Sequence, residues 1–277
     1  MTEPAPPSRT VLLTVQYDGT DFHGWQVQPG FRTIQSVLTD AVDAMVHHEV
    51  VLRGSSRTDS GVHARALPVA FDTLRSIPTY KFLRGLNALL PPDLSVITAD
   101  DVPPGFHPRE AAVAKTYTYR YQLGDPRRPL TSRYTWQVKR RRFDVVAMRE
   151  AATHLLGEHD FSSFRAAECD ARSTLRRLYT LDVTDPDPSE MVVLTVTGNA
   201  FLRNMVRIIA GTLAEVGFGR RPPAWVGDAL AALDRSRAGL TAPASGLTLT
   251  TVHFEGYPRL GKGKGKGDAR GAKDEGC

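Results

Sequence analysis

Cysteine is nearly absent from this 277-residue chain: there are two, Cys169 and Cys277, the second at the last position. Two cysteines so placed build no disulfide framework. The core must therefore hold the fold, and a reducing cytoplasmic compartment is the expected one. No run of about 18 apolar residues occurs, so nothing in the sequence predicts a membrane span. Residues 1–8 are proline-rich and lack the basic flank and apolar stretch of a signal peptide. Metal-site spacings are missing as well: there is no Cys-x-x-Cys and no zinc-type histidine spacing. The expectation is no metal and no other cofactor. The glycine–lysine alternation at 261–267 has the composition of a phosphate loop, but no strand precedes it and no helix follows.

What is present is ordinary for a soluble globular protein, with 41% hydrophobic and 23% charged residues. The length suits one large domain or two small ones. The net charge is +5, of which the tail from Gly261 carries +2, five cations against three acids. A body charge of +3 does not by itself mark a nucleic-acid binder; clustering is the better sign. Arginine is clustered, at Arg127, Arg128, Arg133, Arg140, Arg141 and Arg142, and again at Arg165, Arg172, Arg176 and Arg177. Each cluster reads either as a solvated face or as a surface that meets RNA.

Periodicity outlines two similar halves. Arg9 to Gln16 reads as a strand ending at the Asp18-Gly19 turn. Thr33 can cap a helix whose apolar face is Ile34, Val37, Leu38, Ala41 and Met45. Two strands flank residues 54–64, Tyr80 to Leu90 reads as a helix stopped by Pro91-Pro92, and Ser95 to Ala99 is a short strand. The second half repeats that order. Ala112 to Leu123 is a strand, Val145 to Leu156 a helix, and Arg177 to Val183 with Met191 to Thr197 a hairpin. A largely apolar helix from Phe201 to Val216, a short helix from Pro223 to Leu233 and a strand from Leu247 to Phe254 complete it. The predicted fold is α+β: subdomains at 9–111 and 112–257, their antiparallel sheets joined and flanked by helices, with a cleft between them. Residues 1–8 and the Gly/Lys-rich 258–277 are expected to be disordered.

The densest chemistry lies in Gly54-Ser55-Ser56-Arg57-Thr58-Asp59-Ser60-Gly61-Val62-His63-Ala64. Flanking strands make it a loop on a rigid frame. On spacing alone it reads first as a turn, with Asp59 closing it and Arg57 in solvent. The other reading makes Asp59 a carboxylate nucleophile held ionised by a cation. Arg207, inside the apolar helix, invites either a buried partner or a snorkelling stem. Tyr117, Tyr119 and Tyr121 alternate onto one face of their strand. Phe22 and Trp25 read as core, and His63 as structural.

The loop is similar to the signature of the tRNA pseudouridine synthase A family. Further motifs agree in order: Tyr17-Asp18-Gly19, Gly24-Trp25-Gln26, Arg32-Thr33-Ile34-Gln35, Phe106-His107-Pro108-Arg109 and Lys115-Thr116-Tyr117-Thr118-Tyr119. Asp160-Phe161-Ser162-Ser163-Phe164-Arg165, Asn199 to Arg207 and Gly246-Leu247 complete the series, which spans residues 9 to 257. Ser56 and Ser60 stand where the family usually has Gly and Ala. The resemblance implies a central antiparallel sheet flanked by helices, and isomerisation of uridine to pseudouridine at tRNA positions 38, 39 and 40. It implies a homodimer, no cofactor, and Asp59 as the catalytic aspartate. It places Tyr117 in the uracil pocket with Leu247, and makes Arg207 the partner of Asp59. Arg57, His107, Arg109, Arg165 and Arg172 become RNA-holding groups. The competing reading is a non-catalytic RNA-binding or RNA-chaperone protein on the same fold. An aspartate-nucleophile phosphatase would need a second acid two residues after Asp59, where Gly61 stands.

Overall fold

The computed structural model describes residues 9–139, 143–167 and 171–256. The expected disorder at both ends, both cysteines and Arg140 to Arg142 lie outside the described residues.

Strand β1 (Arg9–Tyr17) leads to helix α1 (Ile34–Val46). Thr33 caps this helix as its sequence predicts: its hydroxyl accepts from the Ser36 amide, and the Ser36 hydroxyl accepts from the Thr33 amide. The buried stripe is Ile34, Leu38, Ala41, Val42 and Val46, with Val37 and Met45 only half-buried. The helix is thus rolled slightly from the expected face, because α2 (Thr79–Leu89) packs beside it and receives Met45 against Gly85. That second helix ends at Leu90, which is extended ahead of Pro91. Between the helices run β2 (Arg53–Gly54) and β3 (His63–Thr73), and β4 (Leu94–Val102) follows. A single-turn helix, α3 (Pro108–Ala111), leads into the second half.

There the order is β5 (Ala114–Leu123), β6 (Trp136–Val138), α4 (Val145–Thr153), β7 (Gly157–Asp160), β8 (Leu175–Val183), β9 (Met191–Gly198), α5 (Met205–Gly217), α6 (Trp225–Ala231) and β10 (Leu247–His253). The ten strands of the described residues all join one sheet. Its main order is β4-β1-β3-β10-β5-β9-β8-β7, with β2 on β3 and β6 on β5. The three-strand unit β4-β1-β3 recurs as β10-β5-β9, which is the duplication that the element order suggests.

The sheet is mixed rather than wholly antiparallel. At the junction of the two units, β3 and β10 run parallel over only two pairs, Thr248 with His63 and Leu249 with Ala64. Farther along, the same edge of β3 takes β2 through Val69 and Ala70. The signature loop leaves the sheet between these two pairings, at the seam.

Helix α5 is buried on nearly every side. Of its thirteen residues only Arg207 and Glu215 keep appreciable exposure. A helix apolar all round belongs in a core. It lies against β5, where the Tyr121 hydroxyl donates to Ala210 O at 2.9 Å. Gly211 lets the segment around Leu240 cross it, since a Cβ there would sit 1.9 Å from Leu240 O.

Candidate active site

The loop from Ser55 to Val62 is held by the turn that the Gly24-Trp25-Gln26 motif forms. The Trp25 amide donates to Thr58 O at 3.1 Å, and the Gly61 amide to Phe22 O at 3.2 Å. The Ser60 hydroxyl donates to Phe22 O at 3.3 Å, and the hydroxyls of Tyr17 and Thr58 meet at 2.8 Å. Gly24 has φ +82°, and a Cβ on it would come within 2.6 Å of Thr58 O. Any other residue there pushes the loop outward. Phe22 and Trp25 are buried beneath the loop, as core. His63 is buried too. Its Nδ1 accepts from the Gly19 amide at 3.0 Å, and burial depresses its pKa despite Asp18 nearby, so it ties the β1 turn to β3 as a neutral ring.

So braced, the loop presents Asp59 to a cleft of about 700 Å³. Both halves of the chain line it. Residues 56–60 with His23 and Gln26 face Tyr117, Phe201 to Val206 and Leu247. Arg207 reaches Asp59 from the first turn of α5, with Nη1 3.6 Å from Oδ2. The guanidinium is itself tethered: Nε donates to Ala242 O at 2.8 Å and Nη1 to Asn204 Oδ1 at 3.1 Å. The pair is less buried than the sequence suggests, since the Arg207 side chain keeps 18% of its exposure and Asp59 30%. The carboxylate faces the open cleft while the guanidinium stands at the helix end.

Tyr117 is buried beside the pair. Its hydroxyl and that of Ser56 are 3.0 Å apart, and its ring meets Phe201 edge-on at 5.1 Å. Burial pushes the phenol up to about 12. The Ser56 hydrogen bond opposes that rise, and the negative charge of Asp59 adds to it. At neutral pH Tyr117 is a phenol, a proton donor. Tyr119 and Tyr121 share its strand face but are structural, donating to Pro243 O and Ala210 O. Ser56 thus links the loop to Tyr117.

Of the other residues singled out from sequence, Arg57, Arg109 and Leu247 line the cleft, the two arginines exposed and the leucine buried. His107, Arg165 and Arg172 do not line it. His107 precedes α3 with its Nδ1 buried and unpartnered among the described residues. Lys115 and Arg203, to which sequence reasoning assigned no role, also line the cleft, as does Arg176, which the sequence offered only as one member of an arginine cluster. The signal for Lys115 was its position two residues before Tyr117, on the same strand face. Among the described residues no three His, Cys, Asp or Glu side chains gather as a metal-holding group. No helix among them is long and apolar enough to cross a membrane.

The family model described as tRNA pseudouridine synthase matches two stretches, residues 13–109 and 151–255. The tRNA pseudouridine synthase A of Geobacter sulfurreducens is 49% identical over 246 residues, covering 89% of this chain and 100% of that protein. The protein of the same name from Myxococcus xanthus is 44% identical over 264 residues, covering 95% and 98%. A solved Cbf5–Nop10–Gar1 complex overlaps 86% of this chain and 57% of that one at 12% identity, but its TM-score of 0.34 is too low to carry structural equivalence. Matched along most of its length by these relatives and by the family model, with the signature loop built into the cleft, the chain belongs to the tRNA pseudouridine synthase family.

Proposed function

We propose that this protein isomerises uridine to pseudouridine in the anticodon stem-loop of tRNA, at positions 38, 39 and 40, with Asp59 as the catalytic carboxylate. The observation that carries the reading is a cleft lined by both Asp59 and Tyr117, with Arg207 paired to Asp59, in a chain belonging to this family. The reaction breaks the C1′–N1 bond and forms C1′–C5; the base loses its C5 proton and gains one at N1. Nothing is oxidised, and the atoms balance without a co-reactant.

Asp59 is the nucleophile of this reaction. Arg207 balances its charge and, anchored on Ala242 and Asn204, fixes where it points. Tyr117 packs on the uracil, and its phenol, held by Ser56, is placed to pass a proton rather than to act as a phenolate. Leu247 closes the apolar side of the pocket. A uridine in a stem enters such a cleft only when flipped out. That costs a few kcal/mol, of which stacking on an aromatic returns about 1–3 kcal/mol. Arg57, exposed beside Asp59, occupies the space that the base leaves, and Arg109 holds backbone. We assign the working form to a cytoplasmic homodimer, in which two modest positive surfaces act on one tRNA.

The test is incubation of the purified protein with unmodified tRNA transcript, followed by mapping of pseudouridine. Product at positions 38 to 40 supports the reading. Tight tRNA binding without product would replace it with a non-catalytic RNA-binding role.

A further inference from the structure

We infer that Lys115, together with Arg109 and Arg176, forms a phosphodiester-binding subsite on the cleft wall beside Tyr117. It takes one backbone phosphate next to the nucleotide seated there, and so rests on the function proposed above. Three separate elements bring these cations to one cleft, close enough for the two arginines to act on the lysine: α3 carries Arg109, β5 carries Lys115, and β8 carries Arg176. Lys115 lies two residues before Tyr117, so both side chains leave the same face of β5. A group held by Lys115 is therefore adjacent to a base resting on Tyr117.

No carboxylate among the described residues forms an ion pair with Lys115 or Arg109. The acid of the cleft, Asp59, is paired with Arg207 instead. Arg176 is held in place, its Nη1 donating to Ser173 O at 2.9 Å and to Leu175 O at 2.6 Å. The strand neighbours of Lys115 are Gly198 on β9 and Val252 on β10, neither of which titrates. Among the described residues, the remaining charged or titratable side chains on the cleft, besides Tyr117, are His23, Arg57 and Arg203. Burial, reinforced by the charges of Arg109 and Arg176, lowers Lys115 to about 8. A half-buried lysine set among cations burdens the folded state unless an anion arrives to complete it. A phosphodiester, a monoanion with two free oxygens, matches converging charged donors.

The subsite is tested with the full-length protein and a hairpin RNA of anticodon stem-loop sequence. Affinity is measured by anisotropy across salt and between pH 7 and 9.5, for the wild type, Lys115→Met and Lys115→Arg. At pH 7, Lys115→Met should bind about tenfold more weakly, the loss of one charge-assisted contact. Its slope of log affinity against log salt should be shallower by about one phosphate's worth, roughly 0.7–0.9. Wild-type affinity should fall toward that of Lys115→Met as pH rises through 8, because the free ammonium loses its proton there. Lys115→Arg stays charged and should hold its affinity across this range. Melting curves identify a misfolded variant; should Lys115→Met misfold, the pH comparison of wild type with Lys115→Arg decides alone. Equal affinity and slope for folded Lys115→Met, or a pH dependence that persists in Lys115→Arg, overturns the subsite. Pseudouridine formation by the wild type is scored separately. Product with no Lys115 effect rejects the subsite and leaves the function standing. A Lys115-dependent slope without product rejects the function and leaves the subsite standing.

Discussion

Replacing Arg207 with methionine keeps an apolar stem of similar length and removes three contacts together. The first is the ion pair to Asp59 at 3.6 Å. Two unit charges at that separation interact by about 4–5 kcal/mol at an effective dielectric of ~20. Asp59 faces an open cleft, with 30% of its side-chain exposure retained, so solvent screening reduces the net worth to about 1 kcal/mol. The other two contacts are the hydrogen bonds to Ala242 O and Asn204 Oδ1, each worth about 0.5–1.5 kcal/mol. The expected loss of stability is therefore about 2–4 kcal/mol, centred lower than the ~3–5 kcal/mol that breaking a fully buried pair would cost. A double-mutant cycle with Asp59→Asn, followed by urea unfolding, separates the parts. The coupling should be about 1 kcal/mol, while the hydrogen-bond share of the Arg207 loss persists in the Asp59→Asn background. Single-turnover isomerisation by Arg207→Met should fall at least tenfold, because the carboxylate loses its fixed partner. A coupling indistinguishable from zero, with turnover unchanged, would refute the assignment of Arg207 as the partner of Asp59.

Four further outcomes are expected. Asp59→Asn should abolish pseudouridine formation while leaving tRNA affinity within about tenfold in a filter-binding assay, since the amide is isosteric but not nucleophilic; measurable turnover would remove Asp59 from the chemistry. Tyr117→Phe leaves the buried Ser56 hydroxyl without its partner, so it should cost about 1 kcal/mol in urea unfolding and lower kcat with little change in KM; a full kcat would leave Tyr117 only its packing role. Lys115→Met should melt higher than the wild type at pH 7. The folded pKa, about 8, lies below the ordinary lysine value, so the unfolded chain binds the proton more readily, and wild-type stability should rise between about pH 8 and 10.4 until the two curves meet. A variant that melts lower at pH 7 contradicts this. Gly24→Ala forces a side chain into a left-handed turn against Thr58 O, so it should cost about 2 kcal/mol or more and slow isomerisation by displacing the Asp59 loop; a neutral effect on both would show that the loop does not depend on this turn.

Local pattern determined much of this protein. Alternation and helical spacing outlined the long elements, Thr33 and Pro91 marked two helix ends, and the repeated order of elements showed the two halves. The short strands β6 and β7 escaped, because three or four residues hold too little alternation to register. The signature loop and its companion motifs were legible as a family resemblance, and Phe22, Trp25 and His63 as scaffold. What the tertiary structure decided was which distant residues meet. The parallel seam between β3 and β10, the reach of Arg207 to Asp59 and the hydroxyl contact of Ser56 with Tyr117 all join segments far apart in the chain. So does the gathering of Lys115 with Arg109 and Arg176, while His107, Arg165 and Arg172, singled out from the sequence as well, do not line the cleft. The physical reason is that periodicity records only whether a side chain faces the core. Strand order and helix crossing determine which faces share a cleft, and the charge and burial of a lysine depend on those neighbours rather than on its own segment.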